Sequence, residues 1–299
     1  MRTYTFNIPE AWAGRRAKDY LRTAQGFSVH LIRQIKRLPD AATLNGEPIR
    51  LTDPLTAGAV LRITFETSPQ SQMIANTSLQ VPVVYEDEDI IVFNKPAGMP
   101  VHPSPRHADD TLANFFAAHC AQTGISASFH PINRLDRDTT GLCLAAKNAH
   151  AAHLLTGCVE KRYLAIANGR LPDDCGTIDA PIARAPGSVI LRTVSPAGQR
   201  AVTHFTVLKR LTAGPREKER CLTLVGVQLE TGRTHQIRVH FAHIGHPLAG
   251  DGLYAGGQIL SRHALHCDSL SFTAANGEKI ELHIPLPNDM EELLHNFCI

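Results

Sequence analysis

The 299-residue chain lacks any hydrophobic run long enough to cross a membrane. No uncharged apolar segment reaches the roughly 18 residues that a membrane-spanning helix needs. The N-terminus also lacks the apolar core of a secretion signal, because Pro9 and Glu10 interrupt the first segment. We therefore expect neither an integral membrane protein nor a secreted one, and we expect a cytoplasmic location.

Cysteine is sparse and the net charge is small. The seven cysteines are an odd number, are scattered and form no C-x-x-C pair, which argues against a disulfide framework and a zinc ribbon. The formal net charge of +2 excludes a strongly basic nucleic-acid coat but leaves room for a local basic surface. With 43% hydrophobic residues, the chain can bury a core.

An uncharged segment divides the chain. Residues 67–82 carry no charge and little periodicity, which is typical of a linker. The sequence therefore predicts an N-terminal domain of residues 1–66 and a second domain of residues 83–299, both of plausible size.

The N-terminal domain is predicted to mix short helices and strands. A first helix is expected around residues 16–21, and Asn-Gly at 45–46 and the alternation over 60–65 predict a tight turn and a strand. Ser28 is a good N-cap for a second helix. That helix would bury three apolar residues, Leu31, Ile32 and Ile35.

Basic residues are concentrated in this domain. Seven basic residues and one acid, Asp19, lie between positions 15 and 37. A surface that is merely solvated usually mixes both signs of charge, so we interpret the cluster as a surface for a polyanion. The residues that we assign to this basic surface are Arg15, Arg16, Lys18, Arg33, Lys36 and Arg37.

The second domain opens with two β-branched runs, at 83–85 and 90–93, which predict a pair of strands. A loop rich in proline and glycine follows at 94–103, and Asp110 is the expected N-cap of a helix through residues 112–116. Residues 227–243 predict a strand, a Thr-Gly turn and a helix that carries Arg238.

Residues 132–147 form the most informative stretch. Two arginines, Arg134 and Arg137, alternate with two aspartates, Asp136 and Asp138, ahead of Thr-Thr-Gly and an apolar strand. Charges of this kind can belong to a solvated loop. Charges at the edge of a core, however, tend to be paired and functional, and we favour that interpretation.

Other chemistries have weaker support. Four histidines between positions 235 and 246 could suggest a metal, but they form no H-E-x-x-H pattern. The glycines near position 250 form neither G-x-G-x-x-G nor a phosphate loop, and no G-x-S-x-G nucleophile motif is present. We therefore expect no metal and no small-molecule cofactor, and a hydrolase or metalloenzyme that uses these histidines remains an alternative.

The ordered motifs of the second domain resemble the RluA-type pseudouridine synthases. The resemblance rests on Asn94-Lys95-Pro96-Ala97-Gly98, Arg134 through Gly141, Glu160-Lys161-Arg162-Tyr163, Thr231 through Arg238, and Gly250-Asp251. Residues 13–65 resemble the small S-four-type RNA-binding domain. Two positions depart from the usual family pattern, Asn133 in place of His and Thr140 in place of Ser.

The resemblance implies an α+β enzyme with a mixed, largely antiparallel sheet that isomerises uridine in RNA to pseudouridine. By analogy, Asp136 is the catalytic carboxylate, Arg134 fills the space of the extruded base, Tyr163 stacks on the target base, and Arg238 pairs with Asp136. The chemistry has the same requirements. The target base must leave its stack and needs an aromatic surface to stack on. The catalytic carboxylate must be paired with a positive charge to stay ionised when water is excluded. Alternatives remain open for each of these residues. Asp138 could be the essential acid and Asp136 a structural one, and Arg134 could only bind phosphate. Tyr163 could be a core tyrosine, and Arg238 could be a surface residue of its helix.

The resemblance also implies the partner and the reaction's requirements. Ribosomal RNA of the large subunit is the expected substrate and transfer RNA is an alternative, and the isomerisation needs no cofactor because it is redox-neutral. A protein of another class, an RNA-binding assembly factor that has lost catalysis, is the main competitor. We expect a monomer.

Overall fold

The computed structural model describes residues 1–66, 73–212, 221–274 and 277–297. The helices in this part of the chain are α1 (Ala17–Thr23), α2 (Val29–Ile35), α3 (Leu112–Thr123), α4 (Ala149–Leu155), α5 (Gln236–His243) and α6 (Asn288–Asn296). The strands are β1 (Arg2–Asn7), β2 (Ala42–Leu44), β3 (Glu47–Pro48), β4 (Val60–Phe65), β5 (Val83–Glu86), β6 (Ile90–Lys95), β7 (His130–Pro131), β8 (Thr140–Ala146), β9 (Glu160–Asn168), β10 (Cys175–Asp179), β11 (Ile182–Arg184), β12 (Arg192–Val194), β13 (Val202–Thr212), β14 (Cys221–Leu229), β15 (Leu265–Thr273) and β16 (Lys279–His283).

Residues 1–66 form an antiparallel sheet in the order β1-β4-β2-β3, with a hydrophobic core of their own. The Ser28 side chain accepts a hydrogen bond from the Leu31 backbone N–H at 3.1 Å, which confirms the predicted N-cap of α2. The predicted turn is also present, since Asn45 and Gly46 have φ values of 53° and 91°. Because α2 ends at Ile35, the basic residues that follow it lie beyond the helix.

The second sheet contains ten strands among the described residues. Eight of them run in the order β10-β13-β14-β9-β15-β8-β6-β5, and β16 and β7 pair with β15 and β8. The pairing of β15 with β8 is parallel, whereas the other described pairs in this sheet are antiparallel. The predicted fold class, a mixed and largely antiparallel sheet with helices, is confirmed.

The core of the second sheet is continuous with α3, and β8 is buried along its whole length. The prediction of Asp110 as the N-cap of α3 is wrong. Thr111 caps the helix and forms a reciprocal capping box with Asn114, because its hydroxyl stands one residue closer to the free N–H groups of the first turn. Asp110 bonds instead to the His107 ring at 2.8 Å.

Asp89 joins the N-terminal sheet to the second one. This buried carboxylate accepts hydrogen bonds from Arg2 Nε at 2.8 Å, from the Tyr4 hydroxyl at 2.6 Å and from Asn148 Nδ2 at 2.9 Å. Arg2 Nη2 donates to its other oxygen at 2.7 Å, and these four donors compensate the carboxylate for its lost hydration.

The segment predicted to be a linker lies partly within the described residues. Its residues 67–72 are outside them. Asn114 Nδ2 of α3 donates to the Ile74 carbonyl at 2.8 Å, and the Asn94 N–H of β6 donates to the Pro82 carbonyl at 2.9 Å. None of the described helices is long and apolar enough to cross a membrane.

Candidate active site

The loop that carries Asp136 is fixed on both sides by hydrogen bonds. Asn133, just before it, donates to the Leu142 carbonyl at 3.0 Å and accepts from the Leu144 N–H at 2.7 Å, which ties the start of the loop to β8. The Thr139 N–H closes the other side by donating to the Asp136 carbonyl at 3.1 Å. Asp136 therefore sits in a short turn whose backbone is fixed by the strand that follows.

Lys95 also bonds to the loop that carries Asp136. Its ammonium group is fully buried and donates to the carbonyls of Pro96, Met99 and Arg137 at 2.8, 2.8 and 2.9 Å. Burial lowers the pKa of Lys95 to about 8. All three donor positions of the ammonium group are used on backbone oxygens, so Lys95 positions the Asp136 loop.

Arg238 holds Asp136 from the opposite side of the cleft. Its Nη1 atom donates to Asp136 Oδ2 at 2.9 Å, while Nε and Nη2 donate to the two oxygens of Asp251 at 2.7 and 2.8 Å. Burial disfavours the charged form, but the Asp251 and Asp136 carboxylates outweigh it and keep the pKa of Arg238 above its usual value. The guanidinium fork thus fixes the position of the Asp136 carboxylate.

The turn between β14 and α5 places Arg238. Gln236 accepts hydrogen bonds from the Thr231 hydroxyl and the Arg233 N–H, both at 2.9 Å, and donates to the Val202 carbonyl at 2.9 Å. The buried amide therefore locks the turn against β13 and delivers the first turn of α5 to the cleft.

Tyr163 lies on β9, between β14 and β15, with its side chain buried. It lines the same cleft as Arg134, Asp136 and Arg238, so the structure brings together all four residues that the sequence singled out. Burial raises the pKa of Tyr163 well above its normal value. The phenol is therefore neutral at ordinary pH and offers the cleft an aromatic surface.

Two further residues beside the cleft, His235 and Tyr254, were given no role in this site by sequence reasoning. His235 reaches within 3.9 Å of Asp136 Oδ2 through its Nε2 atom, and its Nδ1 atom bonds to the Tyr254 hydroxyl at 2.9 Å. The Arg238 guanidinium lies 5.2 Å from the centre of the Tyr254 ring. Tyr254 comes three residues after Asp251 in the chain, and this proximity to a recognised motif was the available signal.

The two departures from the usual family pattern lie in structural positions. Asn133 bonds to β8 as described, and the Thr140 hydroxyl bonds to the ring of His266 at 2.8 Å. Both side chains are buried and face β8 or β15, so each makes a packing contact behind the Asp136 loop.

The histidines considered for a metal site are separated by their hydrogen bonds. His240 bonds to the Thr203 hydroxyl and the Ala180 carbonyl, both at 2.9 Å, and His246 bonds to the Asn168 carbonyl at 2.8 Å. No group of three or more metal-ligating side chains occurs in the described ranges.

The predicted basic surface lies outside the cleft. Five of its six residues are exposed and Lys18 is half-buried, and in the described part of the chain none of the six forms an ion pair with an acid. Arg15 stacks on Trp12, with its guanidinium carbon 5.0 Å from the ring centre.

Comparison with known proteins identifies the class of this fold and site. The model of the RNA pseudouridylate synthase family matches residues 89–243, which is more than half of the chain. The human RNA Pseudouridylate Synthase Domain Containing 4 structure is 25% identical with a TM-score of 0.57, covering 72% of this chain and 92% of that one.

Curated bacterial relatives are more similar in sequence. The uncharacterized RNA pseudouridine synthase YjbO of Bacillus subtilis is 41% identical over 276 residues, covering 90% of this chain and 95% of the relative. The ribosomal large subunit pseudouridine synthase D of Neisseria meningitidis is 35% identical, covering 85% and 71%. The chain belongs to the RluA-type RNA pseudouridine synthases, enzymes that isomerise uridine in RNA to pseudouridine.

Proposed function

We propose that Asp136 is the catalytic carboxylate of this uridine isomerase. The observation that carries the proposal is the 2.9 Å contact between Arg238 and Asp136 at the wall of a cleft that also contains Tyr163. A carboxylate can act on a nucleotide by attacking the sugar, by attacking the base or by removing a sugar proton, and each route needs it ionised. The Arg238 guanidinium fixes the direction in which this carboxylate faces the cleft.

Base flipping brings the target uridine into this cleft. A base inside an RNA fold is inaccessible to a carboxylate, so it must leave its stack at a cost of about a few kcal/mol. Tyr163 offers a neutral aromatic ring on which the uracil can stack, worth about 1–3 kcal/mol. Arg134 is exposed at the mouth of the cleft, where its flat guanidinium can replace the extruded base in the RNA stack.

Residues 1–66 act as a separate RNA-binding domain of the S-four type, and residues 83–299 act as the catalytic domain. Two separate hydrophobic cores support this division, as does the exposure of the basic surface. Exposed basic side chains without acidic partners are available to phosphate groups. The Asp89 contacts hold this domain against the catalytic sheet.

Ribosomal RNA of the large subunit is the proposed substrate. Several relatives at 35–39% identity carry the name ribosomal large subunit pseudouridine synthase D. The test is to map pseudouridines in total RNA from cells with and without the gene, and after restoring either the wild type or Asp136→Asn.

We expect sites in large-subunit ribosomal RNA to disappear with the gene and to return with the wild type alone. If pseudouridines disappeared from transfer RNA alone, transfer RNA would be the substrate in place of ribosomal RNA. An unchanged pseudouridine map, with the purified enzyme inactive on ribosomal RNA, would favour an RNA-binding assembly factor without catalysis.

The enzyme is proposed to work as a monomer in the cytoplasm. Six cysteines among the described residues are free thiols, which suits a reducing compartment. Light scattering on the purified chain tests the monomer, and a dimer mass would contradict it.

A further inference from the structure

His235 occupies an unusual backbone position at the edge of the cleft. Its φ of 59° and ψ of 18° lie in the left-handed region, which few residues other than glycine adopt. The bonded turn around Gln236 holds it there, directly before the first residue of α5. This conformation points the imidazole ring toward Asp136 and Tyr254.

A chain of hydrogen bonds indicates which nitrogen of the His235 ring carries the proton. The backbone N–H of Arg192 donates to the Tyr254 hydroxyl oxygen at 3.0 Å. The hydroxyl keeps its own proton for donation, and the other partner that the described residues give it is Nδ1 of His235 at 2.9 Å. When the hydroxyl donates to Nδ1, every donor in this chain of bonds has a partner, and the single proton of a neutral ring then lies on Nε2.

Burial favours the neutral ring that this arrangement requires. Burial lowers the pKa of His235, and the nearby carboxylate of Asp136 only partly opposes that shift. The Nε2 atom lies 3.9 Å from Asp136 Oδ2, which is too far for a hydrogen bond. That carboxylate oxygen is already bonded to Arg238. The Nε2–H group is thus a positioned donor that faces the cleft beside the catalytic carboxylate.

We propose that the Nε2–H group of His235 donates a hydrogen bond to the O2 carbonyl oxygen of the target uracil while its glycosidic bond breaks. This inference rests on the proposed function, since it takes Asp136 to act at the sugar or base beside that bond. O2 is bonded to C2, which is the ring neighbour of N1, the atom attached to the sugar, so O2 lies near any carboxylate that acts at that bond.

Breaking the glycosidic bond leaves negative charge on the uracil, which a hydrogen-bond donor can stabilise. When the N1–C1′ bond breaks, its electron pair stays on the uracil and spreads over N1 and the carbonyl oxygens. When the C5–C1′ bond forms, C5 loses its proton and N1 gains one, so no external oxidant or reductant is needed. A donor aimed at O2 stabilises the charge that develops there, which is how preorganised donors accelerate a reaction.

The first test reads the tautomer in the free enzyme. Long-range ¹⁵N–¹H NMR of histidine-labelled protein distinguishes a protonated Nε2 from a protonated Nδ1, and the signal that disappears in His235→Gln belongs to His235. We expect the proton on Nε2 in the wild type. A proton on Nδ1, or on both nitrogens at neutral pH, would overturn the inference without touching the role of Asp136.

Two substitutions separate the donor from the backbone conformation. His235→Asn tolerates a positive φ, but its amide reaches only to the position of Nδ1. His235→Gln extends its amide to the position of Nε2. We expect the single-turnover rate constant to fall about 100-fold in His235→Asn and to recover at least tenfold in His235→Gln, with RNA affinity unchanged. A loss confined to RNA affinity would contradict the proposal.

The closing test pairs the protein variant with substrate analogues. The RNA fragment that carries the mapped uridine is made with uridine, 2-thiouridine or 2′-deoxyuridine at that position, and single-turnover rates are measured for the wild type and His235→Asn. We expect the 2-thiouridine penalty of the wild type to vanish in His235→Asn, because sulfur is a weak acceptor for a donor that is already gone. The O2 assignment would be overturned if 2-thiouridine slowed the wild type and His235→Asn equally. It would also be overturned if His235→Asn abolished the rate penalty of 2′-deoxyuridine instead of that of 2-thiouridine. Activity in Asp136→Asn would count against the proposed function alone.

Discussion

The guanidinium of Arg238 lies 2.9 Å from the carboxylate of Asp136, although 102 positions separate the two residues in the sequence. Its other two donor atoms bind Asp251, so one buried arginine orients two acids. The arrangement holds the Asp136 carboxylate in a fixed direction at the cleft.

Asp251 is expected to contribute to both folding and activity. Asp251→Ala leaves Arg238 buried without its main partner, and breaking such a pair costs about 3–5 kcal/mol. Urea unfolding measures this loss. The control is Asp174→Ala, which breaks an exposed pair with Arg210 and should cost less than about 1 kcal/mol. Equal losses in the two variants would contradict the structural role of Asp251.

Tyr163 is expected to act through its ring. Tyr163→Phe keeps the aromatic surface, so the affinity for substrate RNA should stay within about twofold of the wild type, whereas Tyr163→Leu should lose about 1–3 kcal/mol of base stacking. Fluorescence titration measures both affinities. Equal affinity in Tyr163→Leu and the wild type would make Tyr163 a core residue only.

The sequence located most of this site but not its internal bonding. Asp136, Arg238 and Tyr163 were found because they fall in motifs with a recognisable family pattern. The link from Arg192 through Tyr254 to His235 was not found, because it joins β12, a loop and the residue before α5 in three dimensions and no spacing along the chain encodes it.

The sequence predicted helix caps and strands best where neighbouring residues alone determine them. The cap of α2 at Ser28 follows from one side chain and its own backbone, and the structure confirms it. Strand β1 was not predicted, although residues 2–7 pair with β4 along their whole length. Its existence depends on that distant partner. The cap of α3 was misplaced by one residue because Asp110 and Thr111 are both good caps, and the capping box with Asn114 decided between them.

The basic surface is expected to make binding salt-dependent. Reversing the charges of Arg33, Lys36 and Arg37 should weaken RNA binding and reduce the slope of log affinity against log salt by about 0.7 for each lost single-strand phosphate contact. Filter binding over a salt series measures the slope. Lys279→Glu, on the strand β16, is the control and should leave it unchanged. An unchanged slope in the triple variant would remove residues 1–66 from RNA binding.

Acid should destabilise the enzyme through buried neutral histidines. Burial lowers the pKa of both His263 and His150 to about 4, from an ordinary value near 6.5. The unfolded chain therefore takes up protons first as the pH falls. Stability that is fully present above pH 6.5 is lost between about pH 6.5 and 4, by up to a few kcal/mol for each residue.

Urea unfolding at pH 7 and pH 4.5 measures this loss. His263→Gln should lose less stability over that interval than the wild type, whereas the exposed control His243→Gln should match the wild type. An equal acid loss in His263→Gln and the wild type would show that His263 does not titrate as the structure requires.

The role of Asp136 is tested most directly by comparing it with its neighbour Asp138, whose carboxylate bonds to Arg137 at 3.0 and 2.9 Å. The measurement is the single-turnover rate of pseudouridine formation on the mapped RNA for Asp136→Asn and Asp138→Asn, with RNA affinity and the unfolding midpoint measured alongside. We predict no detectable product for Asp136→Asn and at least a tenth of the wild-type rate for Asp138→Asn, with both variants folded and able to bind RNA. Product formation by Asp136→Asn at the wild-type rate, or its loss in Asp138→Asn alone, would contradict the assignment.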